Sequence, residues 1–510
     1  MFLILDFGSQ YTHLIKLALS KLGYESEILA GDCRVADFNK LNKNRDLEGI
    51  IFSGGASSVY DGKIDFDNKW LDLGIPILGI CYGHQLLTNR IGGKVSGGMA
   101  EFGKSVLELK HSDGIFKDLP RKFIVWMSHG DSVKKLPTGF STIASSDYSG
   151  IAAIMNDNKL FYGVQFHPEV SHTENGYKIL DNFCSVVCKA KKGKLWSAKD
   201  FINFTVDDLR HKVGSGKVIS GLSGGVDSLT MTTLLRKSLH KRQIMAVYVD
   251  TGLMPDETLG EVKLFCKDFD IPLKVLGAKD LFFESLKGVK DPTKKGMVIG
   301  RKFIEVFESY AKDFGAKYFA QGTIWSDVVE SGVTKFSSRI KPHHNVGGLP
   351  KKLNFKLLEP LRKLFKNQVR EIAEELELPN WVVKRKVFPG PGFAIRIQGE
   401  VTPLKVEMVR KVTRIVEDVI YRSEIRDKIW MAFAILINVP SLGVKGDEHI
   451  KNEHAVVVRI VESENSMTAN FSRIAMPYLP EISKRMNDEL NVGRVVYDIT
   501  DKPPATIEWQ

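Results

Sequence analysis

Two consecutive open, mostly parallel α/β domains followed by a smaller α+β domain are what this 510-residue sequence predicts. Three observations lead there. Short apolar runs repeatedly end in small or polar turn residues, the grammar of buried strands that feed loops at one sheet edge. The pattern lapses in a basic, glycine-containing stretch at 189–194 and then begins again. Near 389–391 it breaks a second time, at Pro389 and Pro391, and longer helical and Val-rich segments follow. The domains are therefore expected at 1–192, 193–386 and 387–510, sizes ordinary for single cores.

The first strand is expected at 2–5, Phe-Leu-Ile-Leu, and is followed by a polar turn and a helix over 11–22. Gly23 stands where a left-handed helix stop is needed. Further buried strands are expected at 49–52, 76–80, 123–127 and 161–166. The second domain opens with a strand at 217–219, a Gly-rich turn and a helix from 227. A strand at 244–249, a helix from 256 and a strand at 273–276 come next. The third domain carries a long helix after Pro403, a strand at 455–461, a helix over 480–490 and a strand at 494–497.

Composition narrows the class. Hydrophobic residues at 43% and charged residues at 26% are those of a globular protein. No apolar run reaches the roughly 20 residues of a membrane helix. The apolar but short N-terminus has no basic leader and reads as a buried strand, not a signal peptide. A cytoplasmic protein without a membrane partner is expected. Its five cysteines should then be reduced. Cys184 and Cys188 stand four apart, but no second Cys/His pair completes a zinc site. They are expected to be core or surface residues of a helix, and Cys33 and Cys266 take the same structural reading. A net charge of +11 suits nucleic acid or phosphorylated small molecules alike. Without a zinc finger or an aromatic RNP pattern, no nucleic-acid partner is expected.

Pro76-Ile77-Leu78-Gly79-Ile80-Cys81-Tyr82-Gly83-His84 is an apolar strand running into G-x-C-x-G. A nucleophile on a tight strand-to-helix turn needs tiny neighbours, hence Gly79 and Gly83. The following helix aims its N-terminal dipole at the sulfur. A second strand end, Gly163-Val164-Gln165-Phe166-His167-Pro168-Glu169, supplies a base at His167 and a carboxylate at Glu169 to orient it. A third, Ser53-Gly54-Gly55, offers backbone N–H groups that, with the N–H of Tyr82, suit an oxyanion. A lone G-x-C-x-G is a weak signal; the three pieces in one α/β pattern are a strong one. Residues 1 to about 190 resemble a class I glutamine amidotransferase domain. Ala56 departs from that pattern, where many relatives carry Pro after the paired glycines.

Gly221-Leu222-Ser223-Gly224-Gly225-Val226-Asp227-Ser228 follows a strand and opens a helix. Backbone N–H groups of such a loop close around phosphate oxygens. The G-K-[ST] ending of a Walker A loop is missing. A loop without that lysine suits a leaving pyrophosphate, and hence attack at the α-phosphate to form an adenylate. Asp227 is the expected Mg²⁺ partner, the metal arriving with ATP; no organic prosthetic group is expected. The stretch resembles the loop of N-type ATP pyrophosphatases, which implies ATP contacts at Ser223, Gly224, Gly225, Val226, Asp227, Ser228 and Leu229. Asp250, at the next strand end, reads equally well as a solvated turn residue or as a ligand.

Three further segments carry a closer resemblance: 321–331 (QGTIWSDVVES), 341–350 (KPHHNVGGLP) and 388–392 (FPGPG). With the tail 502–509, KPPATIEW, they are similar in kind and order to glutamine-hydrolysing GMP synthetases over the whole chain. The resemblance implies glutamine, ATP and XMP as substrates, a homodimer through the C-terminal domain, and XMP contacts at Lys502 and Glu508. Lys502 can pair with a phosphate and Glu508 can accept from ribose or purine groups. Composition alone reads the same tail as a frayed end. His343 and His344 are expected in a loop near the nucleotide, not at a metal. A mobile lid is implied at 291–302, with Gly296 where relatives carry a basic residue. The nearest rival is another glutamine-dependent adenylating enzyme such as NAD synthetase, against which the tail and the His-His-Asn loop argue. A more distant rival is an RNA-modifying module.

Overall fold

The computed structural model describes residues 1–41, 46–156, 158, 160–193, 195–330, 355–439, 441–445, 448–452, 455–463, 468–490, 492–502 and 504–509. The 341–350 segment with His343 and His344 lies outside them. The chain divides into two compact units, one built on Met1–Ser197 and the other opening at Ala198.

The first unit is organised by one nine-stranded sheet. Its strands are β1 Phe2–Asp6, β2 Ser26–Ala30, β3 Gly49–Phe52, β4 Ile77–Ile80, β5 Lys94–Leu109, β6 Lys122–Lys135, β7 Ser141–Ser146, β8 Ala153–Asn156 and β9 Phe161–Val164, in the order β2-β1-β3-β4-β9-β8-β7-β5-β6. From β2 to β9 every pairing is parallel; from β9 to β6 every pairing is antiparallel. The sequence pattern anticipates the parallel half, whose strands are apolar on both faces and fully buried at β1, β3, β4 and β9. The 123–127 run belongs to the 14-residue β6, which is mostly buried over 123–129 and exposed towards its ends. Helix Thr12–Leu22 ends at Gly23 in the left-handed region, φ 88°, its N–H reaching Leu19 and Ser20 carbonyls.

The second unit contains an all-parallel sheet of β10 Val218–Gly221, β11 Ile244–Asp250, β12 Leu273–Gly277, β13 Tyr318–Ala320 and β14 Lys356–Leu358, ordered β12-β11-β10-β13-β14. The order reverses at β10, so the loop after β10 sits at the switch point where such sheets bind ligands. A second sheet joins β15 Met431–Ile437, β18 Ala455–Glu462, β19 Asn470–Phe471 and β20 Val495–Tyr497, with a separate hairpin of β16 Ser441–Lys445 and β17 Glu448–Asn452. One apolar cluster runs through both sheets, from Ile219 and Val249 to Phe393, Val416, Ala434 and Val458. Helix Pro403–Tyr421 supplies much of it, burying Val406, Val409, Val412, Val416 and Ile420 at three- and four-residue spacing. Thr402 caps it, accepting the Lys405 N–H at 3.3 Å. The segments 193–386 and 387–510 thus share a core.

Residues 291–302, expected as a mobile lid, form the first half of helix Pro292–Phe314. Asp291 caps this helix by accepting the Lys294 N–H at 2.8 Å. Lys295 is fully buried, its ammonium donating to the carbonyls of Ala394 (3.2 Å) and Ile397 (2.6 Å). A capped N-terminus and a buried anchor explain why this lysine-rich segment is helical.

Candidate active sites

Cys81 and His167 meet because β4 and β9 are parallel neighbours in register, Ile80 opposite Val164. Each residue lies just past the carboxyl end of its strand, and the Cys81 N–H donates to the Val164 carbonyl at 2.8 Å. Cys81 takes φ 51° and ψ −105°, a strained backbone for a residue with a Cβ, and caps helix Tyr82–Arg90. The glycines make this turn sterically feasible. A Cβ on Gly83 would stand 2.4 Å from the Phe52 carbonyl oxygen, and one on Gly79 would stand 2.6 Å from that of Gly83.

His167 is buried, with Nδ1 2.7 Å from Glu169 Oε1. Its backbone is fixed on both sides: its N–H donates to Trp126 O at 3.0 Å, and Thr173 Oγ1 donates to its carbonyl at 2.6 Å. The Tyr11 ring packs edge-on at 5.0 Å. Burial pushes the imidazole pKa down, but the Glu169 carboxylate and the Cys81 sulfur outweigh it and hold it at about 10. The arrangement favours an imidazolium that carries the proton a leaving amine needs.

On the oxyanion side, a Cβ on Gly55 would come within 2.6 Å of the Phe7 carbonyl oxygen. The Gly83 N–H is committed to Ser53 O at 3.0 Å. Tyr82 stands in the first turn of its helix, where N–H groups have no helical partner. Gln85, Gln165 and Asp131 form a hydrogen-bonded chain leading to the cysteine. Gln85 Nε2 donates to Asp131 O at 2.7 Å and approaches Gln165 Oε1 at 3.3 Å; Gln165 Nε2 lies 3.8 Å from Cys81 Sγ. Its available signal in the sequence was Gln85 in the first turn after the cysteine.

In the second unit the strand-loop-helix is β10, residues 222–225, and helix Val226–Ser238. Gly224 takes φ +83°, a conformation that favours glycine. Ser223 and Ser228 brace the loop: Ser228 Oγ accepts the Ser223 N–H (3.2 Å) and donates to Gly225 O (3.0 Å). Leu229 differs from the expectation of an ATP contact. Its side chain is fully buried and its N–H goes to the Gly225 carbonyl at 3.1 Å, so it packs beneath the loop. Asp227 Oδ2 pairs with Lys366 Nζ at 2.5 Å, while Oδ1 is buried without a hydrogen-bond partner among the described residues. Lys366 was not singled out in the sequence, since it lies 139 residues away. Asp250 forms a turn, accepting the Gly252 N–H at 3.2 Å, and faces Lys279 at 3.4 Å.

The tail is not frayed. Lys502 pairs with Ala469 through two backbone hydrogen bonds of 2.7 and 3.0 Å. Arg459, fully buried, donates to the carbonyls of Thr500 (2.5 Å), Thr506 (3.3 Å) and Ile507 (3.5 Å). Trp509 Nε1 donates to Asp498 at 2.8 Å. Lys502 and Glu508 are both buried. The Glu508 carboxylate is gripped by Arg396, Nη2 to Oε1 at 2.8 Å and Nε to Oε2 at 3.1 Å. Each oxygen keeps one further acceptor site.

Comparison with known families matches residues 3–187 to class-I glutamine amidotransferases, 198–301 to NAD synthases and 418–509 to the GMP synthase C-terminal domain. Fold and matches together define a class I glutamine amidotransferase joined to an adenylating α/β domain. The relatives include the glutamine-hydrolysing GMP synthases of Thermosipho melanesiensis, 45% identical over 99% of both chains, and of Aquifex aeolicus, 45% identical over 100% of this chain and 99% of that one. The enzyme of the same name from Lactobacillus acidophilus is 46% identical over 100% of this chain and 98% of its own. This chain belongs to the glutamine-hydrolysing GMP synthases, and is a glutamine-dependent ligase.

Proposed function

We propose that the chain aminates XMP to GMP through an adenylyl-XMP intermediate, with Cys81, His167 and Glu169 releasing the ammonia. The observation that carries the proposal is the pairing of a buried His167–Glu169 dyad beside a strained nucleophile in one unit with a pyrophosphate-type loop in the other. The Cys81 sulfur attacks the glutamine amide carbon, and the N–H groups of Gly55 and Tyr82 donate hydrogen bonds to the developing oxyanion. His167 gives its proton to the departing nitrogen, ammonia leaves, and water cleaves the glutamyl thioester. At the second site the XMP 2-oxygen attacks the α-phosphorus of ATP, and pyrophosphate leaves into the 223–228 loop. Ammonia then adds at C2 and AMP departs. Lys502 pairs with the XMP phosphate and Glu508 accepts from its sugar or base.

Mg²⁺ belongs with ATP in this reading. Among the described residues no cluster of three His, Cys, Asp or Glu side chains could hold a metal. One carboxylate plus substrate phosphates is an ordinary Mg²⁺ environment, and the partnerless Asp227 Oδ1 fits it. The bound metal would neutralise phosphate charge.

The functional division is 1–192 for glutamine hydrolysis, 193–386 for adenylation and 387–510 for XMP binding and dimerisation. The enzyme is cytoplasmic, with no nucleic-acid or membrane partner. The match to NAD synthases is confined to 198–301, part of the adenylating domain, and does not reach the tail. The test is GMP formation from ATP, Mg²⁺, XMP and glutamine, read by chromatography with each component omitted in turn. GMP formed without ATP, or no GMP with all four present, would sink the proposal.

A further inference from the structure

We propose that Arg396 is the positioning residue for Glu508, fixing the plane and direction of the carboxylate that receives XMP. The inference rests on the reading of Glu508 as an XMP contact. Four observations support it. The Arg396–Glu508 pair is bidentate, and both side chains are almost wholly buried. Two parallel N–H···O bonds fix a carboxylate's plane as one cannot. The guanidinium is itself immobilised among aromatic rings, 4.1 Å from the centroid of Phe433, 4.8 Å from Phe388 and 5.8 Å from Phe393.

The backbone carrying Arg396 is also pinned. Lys295 Nζ donates to the carbonyls of Ala394 and Ile397, which bracket Arg396. Gly392 takes φ +66°, and a Cβ there would stand 2.3 Å from the Leu253 carbonyl oxygen. The Phe393 N–H donates to that same oxygen at 2.8 Å. Leu253 follows the Asp250 turn at the carboxyl end of β11, so the segment that aims Glu508 is built directly onto a loop of the ATP-binding sheet. Glu508 lies 112 residues from Arg396 on a tail held by Arg459 through backbone carbonyls. Among the described residues the direct ion pair to the Glu508 carboxylate is made by Arg396, while Arg459 acts on it only through the electrostatic field.

The test uses full-length enzyme with ammonium as nitrogen donor. XMP and ATP are titrated separately for Arg396→Met, Arg396→Lys, Glu508→Gln and the Arg396→Met/Glu508→Gln pair. Arg396→Met should raise the XMP KM about tenfold or more, the scale of a lost charge-assisted bond. The ATP KM should stay within about twofold, and Arg396→Lys should recover part of the loss. In the Glu508→Gln background, Arg396→Met should add less than about twofold, because the two act as one. A general packing defect would instead lower kcat and raise both KM values. An unchanged XMP KM in Arg396→Met, or multiplicative effects in the double variant, overturns the inference. If Arg396→Met does not fold, Arg396→Lys decides: an unchanged XMP KM there overturns it too. An unchanged XMP KM in Glu508→Gln has a separate signature, since it removes Glu508 from the XMP site and the inference with it.

Discussion

The two chemical centres are built in opposite ways. At the cysteine centre, three strand ends of one parallel half-sheet bring Cys81, His167 and the Gly55 loop to a common edge. The key contacts are short in sequence or follow from strand register: His167 to Glu169 is two residues, and Cys81 reaches Val164 across adjacent strands. In the second unit, the groups proposed to handle nucleotide are oriented by partners far away in the chain. Asp227 is met by Lys366, and Glu508 by Arg396. A centre assembled from strand ends follows from forming one sheet. A centre assembled from distant charged pairs exists only when the whole second unit is packed. Mutations should therefore act locally at the first centre and spread further at the second.

The most severe test of this contrast is Cys81→Ala. Glutamine-driven GMP formation should fall by about a thousandfold or more, while ammonium-driven formation stays near wild type. A folded variant that loses both activities would break the separation of the centres. Next in size is removal of residues 502–510. Two charge-assisted contacts of roughly 1.5–3 kcal/mol each imply an XMP KM raised by about 100-fold or more, with ATP affinity changed far less. XMP titration with light scattering for oligomeric state checks this; an unchanged XMP KM would return the tail to a structural role.

Glu169→Gln should reduce glutamine hydrolysis about tenfold and change its pH profile. His167 is raised above its ordinary 6.5 to about 10, so its imidazolium persists through neutral pH. The alkaline limb of glutaminase activity should fall near pH 10 in wild type. It should move to lower pH when the carboxylate that raises the pKa is removed, because burial then dominates. The stability part has the same sign: His167's contribution is complete below about 6.5 and lost as pH rises through about 10. A limb at the same pH in the variant would remove Glu169 as its cause. The smallest effect is expected from Gly23→Ala, which forces a Cβ into a left-handed cap and should cost about 1 kcal/mol. Differential scanning calorimetry should show this as a shift of one transition, and movement of both would argue that the units melt together.

The same contrast explains what the sequence could reveal. The elbow, its histidine and the Gly-rich loop were legible because glycines and apolar strands lie next to the residues proposed to do the chemistry. Gly79, Gly83 and Gly224 each have a steric or conformational reason visible in the motif. The antiparallel half-sheet was largely illegible. The 16-residue β5 carries Gly97, Gly98 and Gly103 among mixed polar residues and has no clean alternation. β15, Met-Ala-Phe-Ala-Ile-Leu-Ile, is apolar throughout, which does not distinguish a strand from a buried helix. The lysines at 291–302 look like a solvated loop until Lys295 turns out to be buried. Arg396 and Lys366 were invisible as partners because nothing local marks a pair more than a hundred residues apart.

Lys295 has a practical consequence of its own. Only a neutral amine reacts with an acylating reagent. Burial, with repulsion from Lys405 and against the pull of Asp291, brings the Lys295 pKa down to about 8. At mildly alkaline pH it is therefore richer in free amine than an ordinary surface lysine, yet it is sealed from reagent. Its labelling rate then becomes a clock for how often helix Pro292–Phe314 lifts from the Ala394–Ile397 carbonyls. Mass spectrometry of briefly acylated enzyme, with and without nucleotide, would read any such opening at one residue without an engineered probe.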